Sequence, residues 1–201
     1  IQEGRREIEE GRQELADGEA QLADEIQTYQ DEKDKAEKEL ADAILPLDSH
    51  VTLASPMSEE RKIVRTSILP SLLESAAYNL ARSIKDVPLF EISSVYSEEI
   101  MQERLALVLC GSLQKSRWQK VETPADFYTV KGLVETMLAT LGYSEGRVVF
   151  KENTMDTRHF HPYQSAEVYI GKTLFGIFGR IHPNMAKRYD MKDAVIGEFN
   201  M

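Results

Sequence analysis

SAEVYIGKTLFGIFG, residues 165–179, alternates apolar and polar side chains up to Gly171-Lys172 and resumes with Leu174. Val168 and Ile170 before that pair and Leu174 after it predict a β-hairpin, because a two-residue turn between twisted strands needs the positive φ that glycine supplies. Upstream, VPLFEISSVY (87–96) and RLALVLCGS (104–112) are rich in β-branched and apolar residues and predict two more strands, the second apolar enough to be central. TPADFYTVKGLVETMLATLGY (123–143) changes the period. Phe127, Val130, Leu133, Val134, Met137, Leu138 and Leu141 recur at 3.6-residue spacing and predict a helix, with Thr123 as N-cap, Pro124 at the first position, Asp126 two residues later and Gly142 as the stop. A second helix opens at Pro70, where a missing N–H costs nothing, and turns Leu72, Leu73, Ala76, Ala77, Leu80 and Ile84 to one side and Glu74, Ser75, Asn79 and Arg82 to the other. Hairpins with helices grouped apart from the strands predict an α+β domain, an antiparallel sheet flanked by helices.

The charge of the chain divides it. Residues 1–43 hold 15 Asp and Glu against 6 Lys and Arg, net −9, whereas the remaining 158 hold 19 acids against 18 bases. In the acidic part Ile1, Ile8, Leu15, Leu22, Tyr29, Ala36 and Ala43 share one heptad position, the seam of a long helix in a coiled coil. Gly4, Gly11 and Gly18 share another and weaken its first half. Two domains are therefore expected, an acidic heptad helix over 1–44 and a globular domain over 45–201. An arm of this charge repels RNA phosphates, so a coil paired with a partner helix or a solvated one is expected. Its glycine-punctuated repeat, EIEEGRQELADGEAQL (7–22), resembles coils of bacterial membrane permeases. The longest apolar run, 105–110, is far short of the roughly 20 residues of a membrane helix. The chain opens on Ile1 and an acidic heptad rather than on a Met with a basic and apolar leader, so a piece cut from a longer chain, without a visible signal peptide, is expected.

Candidate chemistry is sparse. Cys110, the single cysteine, lies in an apolar run and reads as a buried, inert thiol. Glu59 and Glu60 are adjacent, so they point apart on a helix or a strand and do not form a catalytic pair. His159, His161 and His182 lack the carboxylate or thiolate support of a zinc site, so no metal is expected; His161-Pro162 and His182-Pro183 read as turns at strand ends. Lys131-Gly132 lies inside a helix, where the glycine is expected to allow close packing. Trp118, with Lys115, Arg117 and Lys120 around it, is a candidate RNA contact of the stacking type.

Five blocks point to a family. Residues 51–82 (VTLASPMSEERKIVRTSILPSLLESAAYNLAR), 89–96 (LFEISSVY), 126–142 (DFYTVKGLVETMLATLG), 161–171 (HPYQSAEVYIG) and 175–183 (FGIFGRIHP) resemble, in order and spacing, the catalytic-like domain of the bacterial phenylalanyl-tRNA synthetase β subunit. The family pattern has Gly-Arg where this chain has Tyr163-Gln164. The resemblance implies a class II aminoacyl-tRNA synthetase fold that has lost its chemistry. It makes this a cytoplasmic scaffold for an α subunit, which attaches phenylalanine to tRNA-Phe with ATP and magnesium in an αβ pair of pairs. No cofactor is expected in this part. The residues agree with the loss: an Arg-x-Glu grip on the α-phosphate is missing, since Thr66 and Ser67 follow Arg65, and Gly176, Gly179 and Arg180 lack a preceding acid. Met57, Ser58, Glu59, Glu60, Arg65, Thr66, Ser67 and Asn79 become the expected subunit contact, while Glu91, Lys131, His161, Pro162, His182 and Pro183 are motif positions without an assigned role. The alternative is a coiled-coil interaction or fusion protein whose globular part has no synthetase role.

Overall fold

The alternation in residues 165–179 becomes the β6–β7 hairpin: Phe160–Ile170 pairs antiparallel with Thr173–Ile181, and Gly171 turns at φ +64°. The computed structural model describes residues 45, 49–55, 62–116 and 118–201, together with 18, 20–24, 26–28 and 30 of the acidic segment. Before the hairpin come β1 (Val87–Tyr96), β2 (Met101–Cys110), β3 (Ser112–Ser116), β4 (Val121–Pro124) and β5 (Val148–Glu152), and after it β8 (Val195–Asn200). Six of these form one sheet in the order β1-β2-β8-β7-β6-β5, every neighbouring pair antiparallel, while β3 and β4 make a separate two-stranded ribbon.

Strand β2 lies inside the sheet, as its apolar run requires, and its alternation divides the core into two layers. Ala106, Val108 and Cys110 join the cluster beneath helix α1 (Leu69–Ala81), which buries Leu69, Leu72, Leu73 and Ala76. Leu105, Leu107 and Leu109 join the opposite cluster, where helix α2 (Phe127–Thr140) buries Val130, Val134 and Leu138 against Phe178 and Phe199. The Phe127 ring stacks on Phe178 at 5.2 Å. A short helix α3, Pro183–Arg188, completes the first layer through Met185 and Ala186.

Three expectations are corrected locally. The cap of α2 is Asp126, whose carboxylate accepts the Thr129 N–H at 2.8 Å, and Thr123 and Pro124 end β4 opposite Gln114 and Ser112. The β3–β4 ladder claims residues 121–124, so the first free N–H groups appear after it and Asp126 is the side chain placed to accept one. His161-Pro162 does not end a strand. It lies within β6, where the register with β7 breaks between Phe160 and Ser165, because Pro162 has no N–H to give the ladder. Gly132 is not packed closely: a Cβ there would meet nothing within 4 Å. His182-Pro183 does end a strand, with His182 Nδ1 accepting the Asn184 N–H at 3.1 Å as the cap of α3.

The described residues between 18 and 30 are helical, and Leu22 on the expected seam is 57% exposed. The other seam positions lie outside the described residues. Among the described residues no helix is long and apolar enough to cross a membrane.

Candidate subunit interface

Strand β1 is an edge of the six-stranded sheet, and its two faces are built differently. On the α1 face, Val87 and Val95 are buried, and Glu91 and Ser93 between them meet Arg65. The Arg65 guanidinium donates through Nη1 to Glu91 Oε1 at 2.7 Å, through Nη2 to the Ser93 hydroxyl and through Nε to the Ser94 carbonyl at 3.3 Å. The Arg65 carbonyl accepts the Tyr96 N–H at 3.1 Å. Arg65 thus straps the entrance of α1 to the outer edge of β1, and Glu91 is the acid of that strap.

On the other face, Phe90 and Ile92 stand opposite Leu107 and Leu105, and Tyr96 opposite Met101. Directly opposed residues share a face. This row therefore lies on the side that α2 covers farther into the sheet, over Phe178 and Phe199. Here nothing described covers it: Phe90 is 73% exposed, Met101 67%, Ile92 55% and Tyr96 36%. Full burial of a side chain of this kind contributes about 1.5 to 3 kcal/mol, so the row is the largest unspent apolar resource the sheet edge offers.

Of the residues expected at a subunit contact, Arg65, Thr66, Ser67 and Asn79 are among the described residues. Thr66 and Ser67 are buried, and their polar groups are spent inside the chain: the Thr66 carbonyl accepts from Arg104 Nη1 at 3.2 Å and the Ser67 hydroxyl donates to Glu198 Oε2 at 2.8 Å. Asn79 is half-buried and donates to the Ser75 carbonyl of its own helix at 2.8 Å. Met57, Ser58, Glu59 and Glu60 lie outside the described residues. So does Arg117 in the β3–β4 turn, where Lys115 pairs with Glu122 at 2.9 Å, Trp118 is exposed and Lys120 takes φ 54°. Lys131 pairs with Glu135 at 3.3 Å and lies 5.0 Å over the Phe150 ring. His159 is buried with Nδ1 on Asp156 Oδ2 at 2.5 Å, and His161 Nδ1 accepts the Tyr163 N–H at 3.3 Å. Burial alone would raise the Asp156 carboxyl, but the His159 ring and the N–H groups of Arg158 and His159 hold it below its ordinary range. Among the described residues no three His, Cys, Asp or Glu side chains are arranged to hold a metal ion. Sequence reasoning passed over the exposed row, although VPLFEISSVY carries Phe90 and Ile92 out of phase with Val87, Leu89 and Val95. An edge strand apolar on both faces is the signal that was there to find.

A family profile described as the phenylalanyl tRNA synthetase beta chain CLM domain matches residues 4–201. This chain belongs to the phenylalanyl-tRNA synthetase β-chain family. Relatives named phenylalanine–tRNA ligase beta subunit share 36% identity over 74% of the chain in Bacillus licheniformis, 35% over 76% in Bacillus subtilis and 38% over 74% in Geobacillus kaustophilus. In each case the match spans only 19% of the relative's length. The family match begins within the acidic segment, at residue 4. A solved pyrrolysyl tRNA synthetase of Desulfitobacterium hafniense, a class II enzyme, superimposes with a TM-score of 0.51 at 17% identity, covering 75% of this chain and 50% of that one, which establishes the shared fold.

Within this member of the β-chain family, the glycines and the arginine of β7 serve the sheet. A Cβ at Gly179 would come within 2.5 Å of the Gln164 carbonyl oxygen and the Ser165 Cα, so the close strand approach requires glycine there. Arg180 is held bidentate by Asp193, at 2.7 and 2.8 Å, with Nη1 3.3 Å from Gln164 Oε1. Gln164, one of the two departures from the family pattern, is thus a partner of Arg180.

Proposed function

We infer that this domain is a non-catalytic scaffold of the phenylalanyl-tRNA synthetase β subunit, and that its work is to dock the α subunit. The whole enzyme attaches phenylalanine to tRNA-Phe with ATP and magnesium; this part supplies the surface on which the catalytic partner is held. The observation that carries the reading is the uncovered row Phe90, Ile92, Tyr96 and Met101 along the β1 edge. Aromatic and Met side chains without charge are the composition of an interface core, while the Arg65–Glu91 strap lies on the opposite face of β1. The strap is half exposed on both sides, so its own contribution to stability is small. Residues 45–201 form the docking unit, and the acidic, heptad-patterned sequence of residues 1–44 seeks a helical partner. The alternative, a coiled-coil or fusion protein with an idle globular part, is not favoured, since the family match runs through the whole globular domain.

The test is titration calorimetry of the full chain with a phenylalanyl-tRNA synthetase α subunit. Phe90→Ser with Ile92→Ser should weaken association at least tenfold, as loss of two buried anchors does. Leu133→Ser, a control on the exposed side of α2, should change it less than twofold. Circular dichroism confirms that each variant is folded. Equal binding by the double variant and the native chain overturns the assignment of the row.

A further inference from the structure

The phase of the β1–β2 ladder decides which backbone groups of β1 face outward. The Ser97 N–H donates to the Ile100 carbonyl at 2.8 Å and closes the hairpin. Counted back along the register, Val95, Ser93, Glu91 and Leu89 therefore bond to β2, while Tyr96, Ser94, Ile92 and Phe90 turn their N–H and C=O groups away from it. At one end these outer groups are used: the Tyr96 N–H donates to the Arg65 carbonyl at 3.1 Å, and the Ser94 carbonyl accepts from Arg65 Nε at 3.3 Å. At the other end Pro88 has no N–H to offer. Between them the N–H and C=O groups of Phe90 and Ile92 bond to no described residue. An unpaired ladder row is a template for another strand, and sheets guard such edges with charge. The opposite edge, β5, carries Lys151 and Glu152; in the open stretch of β1 the single charge, Glu91, is already held by Arg65.

We propose that this edge takes an extended segment of the α subunit as an added strand, hydrogen-bonded to the outward groups of Phe90 and Ile92. The inference rests on the docking reading above and adds the way in which the partner is held. Residues of the segment opposite Phe90 and Ile92 fall on the apolar row, and the residue between them falls on the face of Glu91 and Arg65. The segment that fits thus carries apolar side chains two positions apart with an uncharged polar one between. A second copy of this chain fits the edge poorly. Antiparallel pairing of Phe90 with Ile92 of the copy sets Glu91 directly against Glu91, and like charges so placed are destabilising. A shift of one pair sets Ile92 against Pro88, which cannot donate, or Phe90 against Ser94, whose carbonyl Arg65 holds.

Amide exchange of the full chain, resolved to single residues by fragmentation mass spectrometry, is compared with and without a phenylalanyl-tRNA synthetase α subunit. The Phe90 and Ile92 N–H groups should exchange freely in the chain alone and at least about tenfold more slowly in the complex. Their gain should exceed that of Leu89 and Glu91, whose N–H groups already bond to β2. Replacing Ile92 by its α-hydroxy acid puts an ester oxygen in place of the N–H and keeps the side chain. By titration calorimetry this should weaken α-subunit binding about 2- to 12-fold, the worth of one hydrogen bond. The same replacement at Phe150, whose N–H points outward from the β5 edge, should leave binding unchanged, with circular dichroism reporting that each variant is folded. Either unchanged exchange at Phe90 and Ile92 or full binding by the Ile92 ester overturns the added strand, and if Phe90→Ser with Ile92→Ser still weakens association the docking reading stands without it. A native chain that binds no α subunit overturns both.

Discussion

Cys110 ends β2 beneath α1, 3% exposed, and its thiol is pushed up to about 11 from 9.0, first by burial and then by the negative charge of Asp193. A shift of two units lowers the thiolate fraction about 100-fold at pH 8, and the thiolate is the reactive form. Alkylation by iodoacetamide should therefore be at least 100-fold slower in the native chain than in urea, followed by mass spectrometry. Equal rates would show that the strand end opens freely. The fate of this residue was legible from RLALVLCGS, since five apolar neighbours in a row place a thiol in the interior. The fates of Thr66 and Ser67 were not. Their partners, Glu198 for Ser67 and Arg104 for Thr66, arrive from β8 and β2, and nothing within a local window indicates that Ser67 will meet a carboxylate 131 positions away or the Thr66 carbonyl a guanidinium 38 positions away.

At the scale of elements, the junction of α1, β2 and β8 is held by that same pair. Arg104 Nη1 lies 3.7 Å from Glu198 Oε1, with side chains 3% and 0% exposed. Glu198 also accepts the Ile68 N–H at 3.0 Å and so stands at the N-terminus of α1, which has no side-chain cap of its own. The dipole of the helix favours a carboxylate there. Burial raises the Glu198 carboxyl against the pull of Arg104 and the Ile68 and Ser67 donors, and burial likewise lowers Arg104. The folded value of Glu198 lies above the unfolded one, so its contribution to stability is fully present below about pH 4.3 and declines as pH rises toward the raised value. Removing one partner leaves the other charged and buried: Glu198→Ala should cost about 3 to 5 kcal/mol in urea unfolding, and Arg104→Leu with Glu198→Leu clearly less. A double variant as unstable as the single would show that the hydrogen bonds to α1, not the stranded charge, dominate. The bodies of α1, α2, β1, β2 and the β6–β7 hairpin were legible, because periods of 2 and 3.6 are local properties, whereas the shorter β3, β4, β5 and β8 were not read. The ends were less so. Whether Thr123 or Asp126 caps α2 depended on a ladder between β3 and β4 that no periodicity records.

At the scale of the molecule, an acidic segment of net −9 adjoins a domain that is nearly neutral, and that domain presents an apolar row at one sheet edge. The α+β class was legible because hairpin turns and strand alternation both favoured antiparallel pairing; the strand order, with β8 inserted between β2 and β7, was not, since it is set by the packing of two helices on opposite faces. The exposed row along β1 was not legible for a related reason. Charged residues before α1 attract attention in a sequence, whereas exposure of Phe90 and Ile92 depends on where α2 stops covering the sheet. The central claim is that the β1 edge is the docking surface, and hydrogen–deuterium exchange of the full chain with and without an α subunit tests it where it is made. Amides of residues 87–96 and 101–104 should exchange at least tenfold more slowly in the complex, with those of 183–188 unchanged; protection that appears elsewhere while residues 87–96 exchange at the free rate would contradict it.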